Sequence, residues 1–403
     1  MNLTTTCCVA GGGPAGLMTG YLLARQGVDV IVLEKHKDFL RDFRGDTVHP
    51  STLGLFDELG LLEGLLARPH EKTESLSLTI SGRELEVIDF RGLSKKTGFI
   101  AMMPQWEFLN FLSEEATKLP TFRLMMETEA TSLIETETRV TGVEAMSPDG
   151  ALSIQADLVI AADGRGSVLR DMSGLPQEDL GSPIDVLWMS LSKTDNDPGG
   201  SLARIDAGGF MVMINRGDYW QCAFLIRKGG MDALRAAGLE AFRERIKTLA
   251  PMLDDRLGEI RSWEDVKLLT VKVDRLTKWW RTGLLCIGDA SHAMSPVGGV
   301  GINLAIQDAV ATARMLGSKL KSGTLMDDDL AAVQKRRDWP ARMTQRAQVF
   351  AHRNMLEPTL DAAKPLKAPM PLRLLNRVPI LRGIPARAVG IGLRPEHWPK
   401  DLG

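Results

Sequence analysis

Three glycines and an acid carry the clearest chemistry in this chain. Gly11-x-Gly13-x-x-Gly16 lies between a β-prone run, Leu3 to Ala10, and a stretch of helical composition, Leu17 to Arg25. In a strand–turn–helix of this kind the first glycine permits the tight turn. The second lets backbone approach a pyrophosphate, and the third lets helix and strand pack closely. The helix start then offers free N–H groups and a positive dipole end to phosphate oxygens. Pro14 and Ala15, between the second and third glycines, belong to the same candidate phosphate site. Glu34 follows a second buried strand, Val28 to Leu33, and stands where a carboxylate binds ribose hydroxyls, with Lys35 beside it. The acid disfavours a 2′-phosphate, so FAD or NAD fits this site better than NADP.

Two more acid-bearing turns follow buried strands. Asp163-Gly164-Arg165-Gly166-Ser167 comes after Asp157 to Ala162. Gly288-Asp289-Ala290-Ser291-His292 comes after Gly283 to Ile287 and runs on through Pro296-Val297-Gly298-Gly299-Val300-Gly301-Ile302-Asn303 into a helix spanning about 301 to 320. An isolated Asp-Gly or Gly-Asp pair is usually a structural turn. Here both occur downstream of a complete β-α-β nucleotide unit.

The elements that must position these residues read as an α/β chain. A helix is expected from Pro104 to Lys118 and a strand pair across Leu133 to Ala145. Short alternating strands, SLSLTI and ELEVIDF, occupy the region from about 76 to 100. Residues 177–275 differ, with longer strands (IDVLWMSL, GFMVMIN, WQCAFLIR) around one helix near 235–249. The expected organisation is a Rossmann-type nucleotide domain (1–176, returning at 276–325), an inserted β-sheet substrate domain (177–275) and a helical C-terminal segment (326–403).

Composition sets the outer limits. The 403 residues carry 49 Lys+Arg and 51 Asp+Glu, a formal net charge of −2, so there is no basic excess with which to bind nucleic acid. The four cysteines form no CxxC pair and the histidines show no metal spacing, so neither a disulfide framework nor a zinc site is expected. The N-terminus lacks a secretory pattern and no long apolar run is present, which points to a reducing, cytoplasmic setting.

With GGGPAG, DG and GDASH in this order, the chain resembles the group A FAD-dependent aromatic monooxygenases, the para-hydroxybenzoate hydroxylase-like family. The resemblance covers roughly residues 1–325. It implies tightly but non-covalently bound FAD, NADH or NADPH as a transient electron donor without a Rossmann domain of its own, and O2 as co-substrate. It also implies a C4a-hydroperoxyflavin that hydroxylates an aromatic, quinone-like or conjugated small molecule. Carried over residue by residue, Gly11, Gly13, Gly16 and Glu34 hold the ADP half of FAD. Arg44 lies beside the phosphates, Gln105 by the ribityl region, and the Ala130 backbone at the adenine. Asp163 supports both cofactors and Asp289 binds the ribityl chain. Pro296 and Gly299, Val300, Gly301, Ile302 and Asn303 line the isoalloxazine ring.

Other residues admit two readings. His292 reads as a turn donor or a base. Trp188, Trp220, Phe210, Met211 and Met213 read as core or as a substrate wall. The acid-free stretch between Asp361 and Glu396, with seven Lys/Arg among apolar residues, reads as a tail packed on the protein or as a peripheral membrane contact. No residue stands out as the base that deprotonates substrate. A flavin oxidase, reductase or halogenase on the same scaffold is the alternative activity, although a WxWxIP halogenase pattern is absent. A non-catalytic flavin module would be expected to show degraded motifs, and these are intact.

Overall fold

The computed structural model describes residues 1–40 and 47–402. Its centre is a sheet of parallel strands in the order Leu284–Cys286, Gly150–Ala161, Asn2–Ala10, Val30–Leu33 and Phe122–Met125. Helices Pro14–Arg25 and Gly301–Ser322 pack on it, which is why strand residues such as Val30 to Leu33 are all buried and apolar without alternation. Before Asp157, residues Gly150 to Gln155 of that strand also extend into an antiparallel ribbon with Val140–Ser147 and Glu129–Glu135.

Parallel register brings the strand ends to one edge. Ala10 pairs with both Leu33 and Ala161, and Ala161 with Cys286. The residues that follow these ends, Gly11, Glu34, Asp163 and Asp289, therefore gather along the carboxyl edge of the sheet, where open α/β sheets bind their ligands.

A second sheet has seven strands, in the order Lys267–Leu269, Ile184–Ser192, Tyr219–Arg227, Gly209–Asn215, Leu202–Asp206, Ser75–Ile80 and Arg83–Asp89. Two of these come from before residue 177, so this sheet is not made from the 177–275 segment alone. The parallel pairing of Ser75–Ile80 with Leu202–Asp206 recruits them. We propose a sheet unit that includes the 75–89 hairpin. The single helix expected near 235–249 is two helices, Met231–Ala237 and Leu239–Leu249, because Gly238 adopts φ +94° between them.

The second sheet separates its two faces by strict alternation. Leu187, Met189, Leu191, Met211, Met213, Trp220, Cys222 and Phe224 pack outward against Phe242, Ile246 and Leu249. Val186, Trp188, Phe210, Val212, Ala223 and Leu225 face the other way, toward Val297, Val349 and Leu356. The pair Met211/Met213 and Trp220, read as possible substrate wall, are thus ordinary core, while Trp188 and Phe210 remain on the inner face.

The basic tail folds back. Leu366, Ala368, Leu372 and Leu375 cover Ile80, Leu85 and Val87. Arg382 forms an ion pair with Glu86 and donates to the carbonyls of Leu375 (3.1 Å) and Asn376 (2.8 Å). Met370, Leu374, Ile380 and Ile384 stay exposed on the opposite side. Among the described residues no helix is long and apolar enough to cross a membrane.

Buried charge ties the tail to the core. Asp308, on the Gly301–Ser322 helix, accepts from His292 Nε2 (2.6 Å), Arg337 Nε (2.9 Å) and the Gly288 N–H (3.2 Å). Arg337 also reaches Glu396 (3.3 Å), whose carboxylate accepts from Arg336 (2.6 Å) and Arg314 (2.7 Å). Burial alone would raise the Asp308 pKa, but His292 and Arg337 hold it below the usual carboxylate range.

Two predictions follow from this packing. A Cβ at Gly16 would overlap the Gly11 carbonyl oxygen, whereas a Cβ at Gly13 would meet nothing within 4 Å. Gly16→Val should lose at least about 3 kcal/mol or fail to fold. Gly13→Val should melt with flavin-free wild type, and equal melting of the two variants would contradict the assignment. Asp308→Asn leaves Arg337 buried with a weakened partner and should cost about 3–5 kcal/mol in denaturant unfolding. Because the folded carboxyl titrates low, its contribution is present above about pH 4 and lost as pH falls through the folded value. The variant should therefore show a flatter acid limb than wild type.

Candidate active site

The glycine turn is built for close approach. Gly11 sits at φ +108° against the Ala162 carbonyl, a conformation and a clearance that only glycine meets. The helix that follows begins at Pro14 with Gly13 as its N-cap, without a side-chain cap and without an acid in its first turn. Its N–H groups and dipole therefore face open space at Gly13. Ala15 has a separate role: a Cβ at Gly288 (φ +60°) would lie 3.0 Å from the Ala15 Cβ and 3.3 Å from the Ala305 Cβ. Small residues at all three positions let the Gly-Asp turn pass between two helices.

Glu34 is buried at the end of its strand. Its Oε2 accepts from the Gly12 N–H (3.1 Å), and its Oε1 accepts from the His36 N–H (3.0 Å) with His36 Nδ1 at 2.6 Å. A carboxylate is an acceptor of the kind that ribose hydroxyls require. Lys35 instead points out to Glu129 at 3.4 Å. Ala130 is buried in the neighbouring ribbon, where the Thr128 N–H donates to the Glu34 carbonyl (2.8 Å). Gln105 is buried at the first turn of helix Gln105–Thr117. Arg44 lies outside the described residues.

Asp163 is half-buried and desolvation raises its pKa, against hydrogen bonds from Ser167 and nearby backbone. Its Oδ1 has no partner. Arg165 donates to Asp289 at 3.1 Å and has a second buried nitrogen without a partner. These two turns meet, with donor and acceptor capacity left over.

The segment from Ser295 to Asn303 is held at both ends. Thr47 Oγ1 donates to the Gly299 carbonyl (2.8 Å). The Asn303 amide donates to the carbonyls of Thr47 (3.1 Å) and Gly299 (3.3 Å), and its Oδ1 accepts from the His49 N–H (2.9 Å) and Thr52 (2.8 Å). The Asn303 side chain thus braces the loop, leaving its backbone for any ring contact. At the other end Gln348 accepts from the Ser295 N–H (3.1 Å) and donates to the carbonyls of Ser295 (3.0 Å) and Val297 (2.9 Å). His352 Nε2 sits 2.8 Å from Ser295 Oγ, and burial lowers the imidazole pKa. Thr47, Gln348 and His352 were not singled out from the sequence, since each lies more than 50 residues from the loop residues it bonds and follows no local motif.

Within the loop, Gly298 (φ +85°) and Gly299 (φ +62°) need left-handed backbone. A Cβ at Gly299 would overlap Thr47 Oγ1, while one at Gly298 would touch only Val300 at 3.7 Å. Gly298, rather than Gly299, is the position that borders open space. Helix Gly301–Ser322 starts here, again with no side-chain cap and no acid in its first turn. Beneath the loop, Val297 packs on the same apolar cluster of the inner sheet face as Trp188, Phe210 and Val212.

These features fit a bound FAD. There is room for a pyrophosphate at Gly13, an acid for the ribose and an acidic turn beyond it. A positive helix end at Gly301 suits the electron-rich end of a flavin. His292 is outside this constellation, locked to Asp308.

Comparison with known proteins agrees. The FAD binding domain family model matches residues 4–347. The 6-methylpretetramide 4-monooxygenase of Streptomyces rimosus is 35% identical over 386 residues, covering 94% of this chain and 91% of that protein. Among solved structures, p-nitrophenol 4-monooxygenase PnpA from Pseudomonas putida superposes with a TM-score of 0.75 at 20% identity, covering 98% of this chain and 99% of that one. The myxobacterial chondrochloren halogenase CndH superposes at 0.76 with 16% identity, covering 99% and 95%. At these identities the two structures bear on fold alone. The matched family model and the 35% relative place this chain in the FAD binding domain family, among the FAD-dependent aromatic monooxygenases.

Proposed function

We propose that this enzyme hydroxylates an aromatic or conjugated small molecule at the expense of NAD(P)H and O2. The observation that carries the reading is that Val297, at the start of the glycine loop, packs on the same apolar cluster of the inner sheet face as Trp188, Phe210 and Val212. When bound, FAD would accept a hydride from NADH or NADPH and activate dioxygen for transfer to an electron-rich carbon.

The chain's own residues do the rest. The Pro14 helix start and Glu34 anchor the ADP half, and Asp163 with Asp289 faces the sugar alcohols. The inner sheet face and the braced loop hold the substrate ring flat and exclude water, so that orientation rather than a protein nucleophile sets the reaction. The N–H groups at Gly301 stabilise negative charge that develops beside them. The name of the 35% relative makes 6-methylpretetramide the first substrate to try. A halogenase shares the fold, but the sequence has no WxWxIP pattern to support halide chemistry. For the basic tail we favour the packed role over a membrane contact, because Leu372, Leu375 and Arg382 are already engaged with the sheet edge.

Gly13→Val, folded by the argument above, should purify colourless and release no FAD on acid precipitation, whereas wild type should be yellow. In an 18O2 atmosphere the product formed by wild type should carry one labelled oxygen per NAD(P)H consumed in coupled turnover. Product without label would replace the monooxygenase reading with an oxidase or reductase.

A further inference from the structure

Three polar atoms near the inner sheet face are buried without a partner: Glu71 Oε2, Thr73 Oγ1 and Gln221 Nε2. Register and packing place all three residues beside one apolar cluster. Glu71 and Thr73 lie two apart on one short strand and pair with Met102 and Ile100, so all four side chains share a side of that sheet. Met102 and Ile100 pack on Ile214 of the second sheet, and Ile214 pairs with Gln221. Glu71 is bonded to Asn215, the residue after Ile214, and burial raises its pKa.

Gln221 stands on the inner row next to the apolar Ala223 and Leu225. It is only 5% exposed. Arg216 Nε donates to Gln221 Oε1 at 2.9 Å while Arg216 Nη1 reaches the Met102 carbonyl at 3.4 Å. The first bond fixes the amide's orientation, so that Nε2 is presented as a donor away from Arg216. A buried donor and two buried oxygens left unmatched in one place are unfavourable unless a ligand or water meets them.

The distance from the flavin loop follows from strand pairing. Gly299 is bonded to Thr47, Thr47 pairs with Met102, and Met102 pairs with Glu71. Glu71 is thus two strand spacings, about 10 Å, from the strand that holds the loop. Trp188 and Val212 join the two ends, since they pack both on the apolar cluster that Val297 packs on and on the cluster of Ile214.

We propose that Gln221, Glu71 and Thr73 form a polar subsite that hydrogen-bonds the far edge of the substrate, and that the enzyme selects elongated fused-ring aromatics carrying oxygens at the end remote from the carbon that is oxidised. This rests on the monooxygenase reading for the location of the oxidised end and adds the substrate's length and polarity. A single-ring phenol reaches only one end of the site and leaves the three polar atoms unmatched. A fused system with a distal hydroxyl satisfies them, with Gln221 donating to its oxygen and Glu71 or Thr73 exchanging a hydrogen bond with its O–H.

The test is equilibrium binding to oxidised, FAD-loaded enzyme, read from the change in flavin absorbance without turnover. The probes are 2,6-dihydroxyanthraquinone and 2-hydroxyanthraquinone, which differ in the distal hydroxyl. Wild type should bind the dihydroxy compound at least about tenfold more tightly, the difference expected for one matched buried hydrogen bond. In Gln221→Leu this ratio should fall toward one, through loss of affinity for the dihydroxy probe with the monohydroxy probe little changed. Thr73→Val and Glu71→Gln, each checked for flavin content and melting temperature, supply the same comparison if Gln221→Leu fails to load flavin. A ratio near one in wild type, or a ratio unchanged in every variant that folds, overturns the subsite. Because no oxygen transfer is measured, a failure of the labelling experiment would sink the monooxygenase reading while leaving this binding ratio to be judged separately.

Discussion

The structure depends on one carboxylate placed where water cannot reach it. Asp308 is completely buried, and a charge in that position is tolerated only if its partners are held in register with it. Those partners come from three parts of the chain: His292 and the Gly288 N–H from the Gly-Asp turn, Arg337 from a later helix, and, through Arg337, Glu396 from the tail. The cost of burying any one of these charges alone makes the arrangement all-or-none. It fixes the Gly-Asp turn against the Gly301 helix, and therefore fixes where Asp289 and the glycine loop can stand.

A second constraint works through space rather than charge. The turn at Gly11, the crossing at Gly288 and the bend at Gly299 each place backbone where a Cβ would crowd or overlap a neighbour, whereas Gly13, Gly164 and Gly166 face open space. The glycines of these turns therefore divide into those that let protein approach protein and those that leave room beside the backbone. A shared sequence pattern hides that division, since all read equally as small.

The alternation of the second sheet gives its two faces different partners. One face closes over its own helix with Met211, Met213 and Trp220, and the other carries Trp188, Phe210 and Val212 on the apolar cluster that Val297 also packs on. The glycine loop is not left to its own stiffness. Thr47 and Asn303 grip it at one end and Gln348 and His352 at the other, so the loop is rigid at the point where orientation matters.

The nucleotide unit was legible in the sequence because its requirements are local. The order strand, Gly11-x-Gly13-x-x-Gly16, helix, strand, Glu34 spans few residues, and each residue type answers to its own backbone or charge demand. The same holds for the Asp163 and Asp289 turns, which follow recognisable buried strands, and for the helix at Gly301. Helix boundaries were also close, except where Gly238 breaks the 231–249 segment by its positive φ. What the sequence could not show is how distant pieces combine. The second sheet takes strands from 75–89, Gly299 is glycine because of Thr47, and the tail's Glu396 completes a charge network begun at His292. Gln221 could have been noticed as a lone amide in an apolar strand, but its meaning depends on Glu71 and Thr73, some 150 residues earlier. Local pattern sets backbone conformation and the face each residue takes, whereas strand pairing and burial between remote segments decide which side chains meet, and only the folded chain brings those segments together.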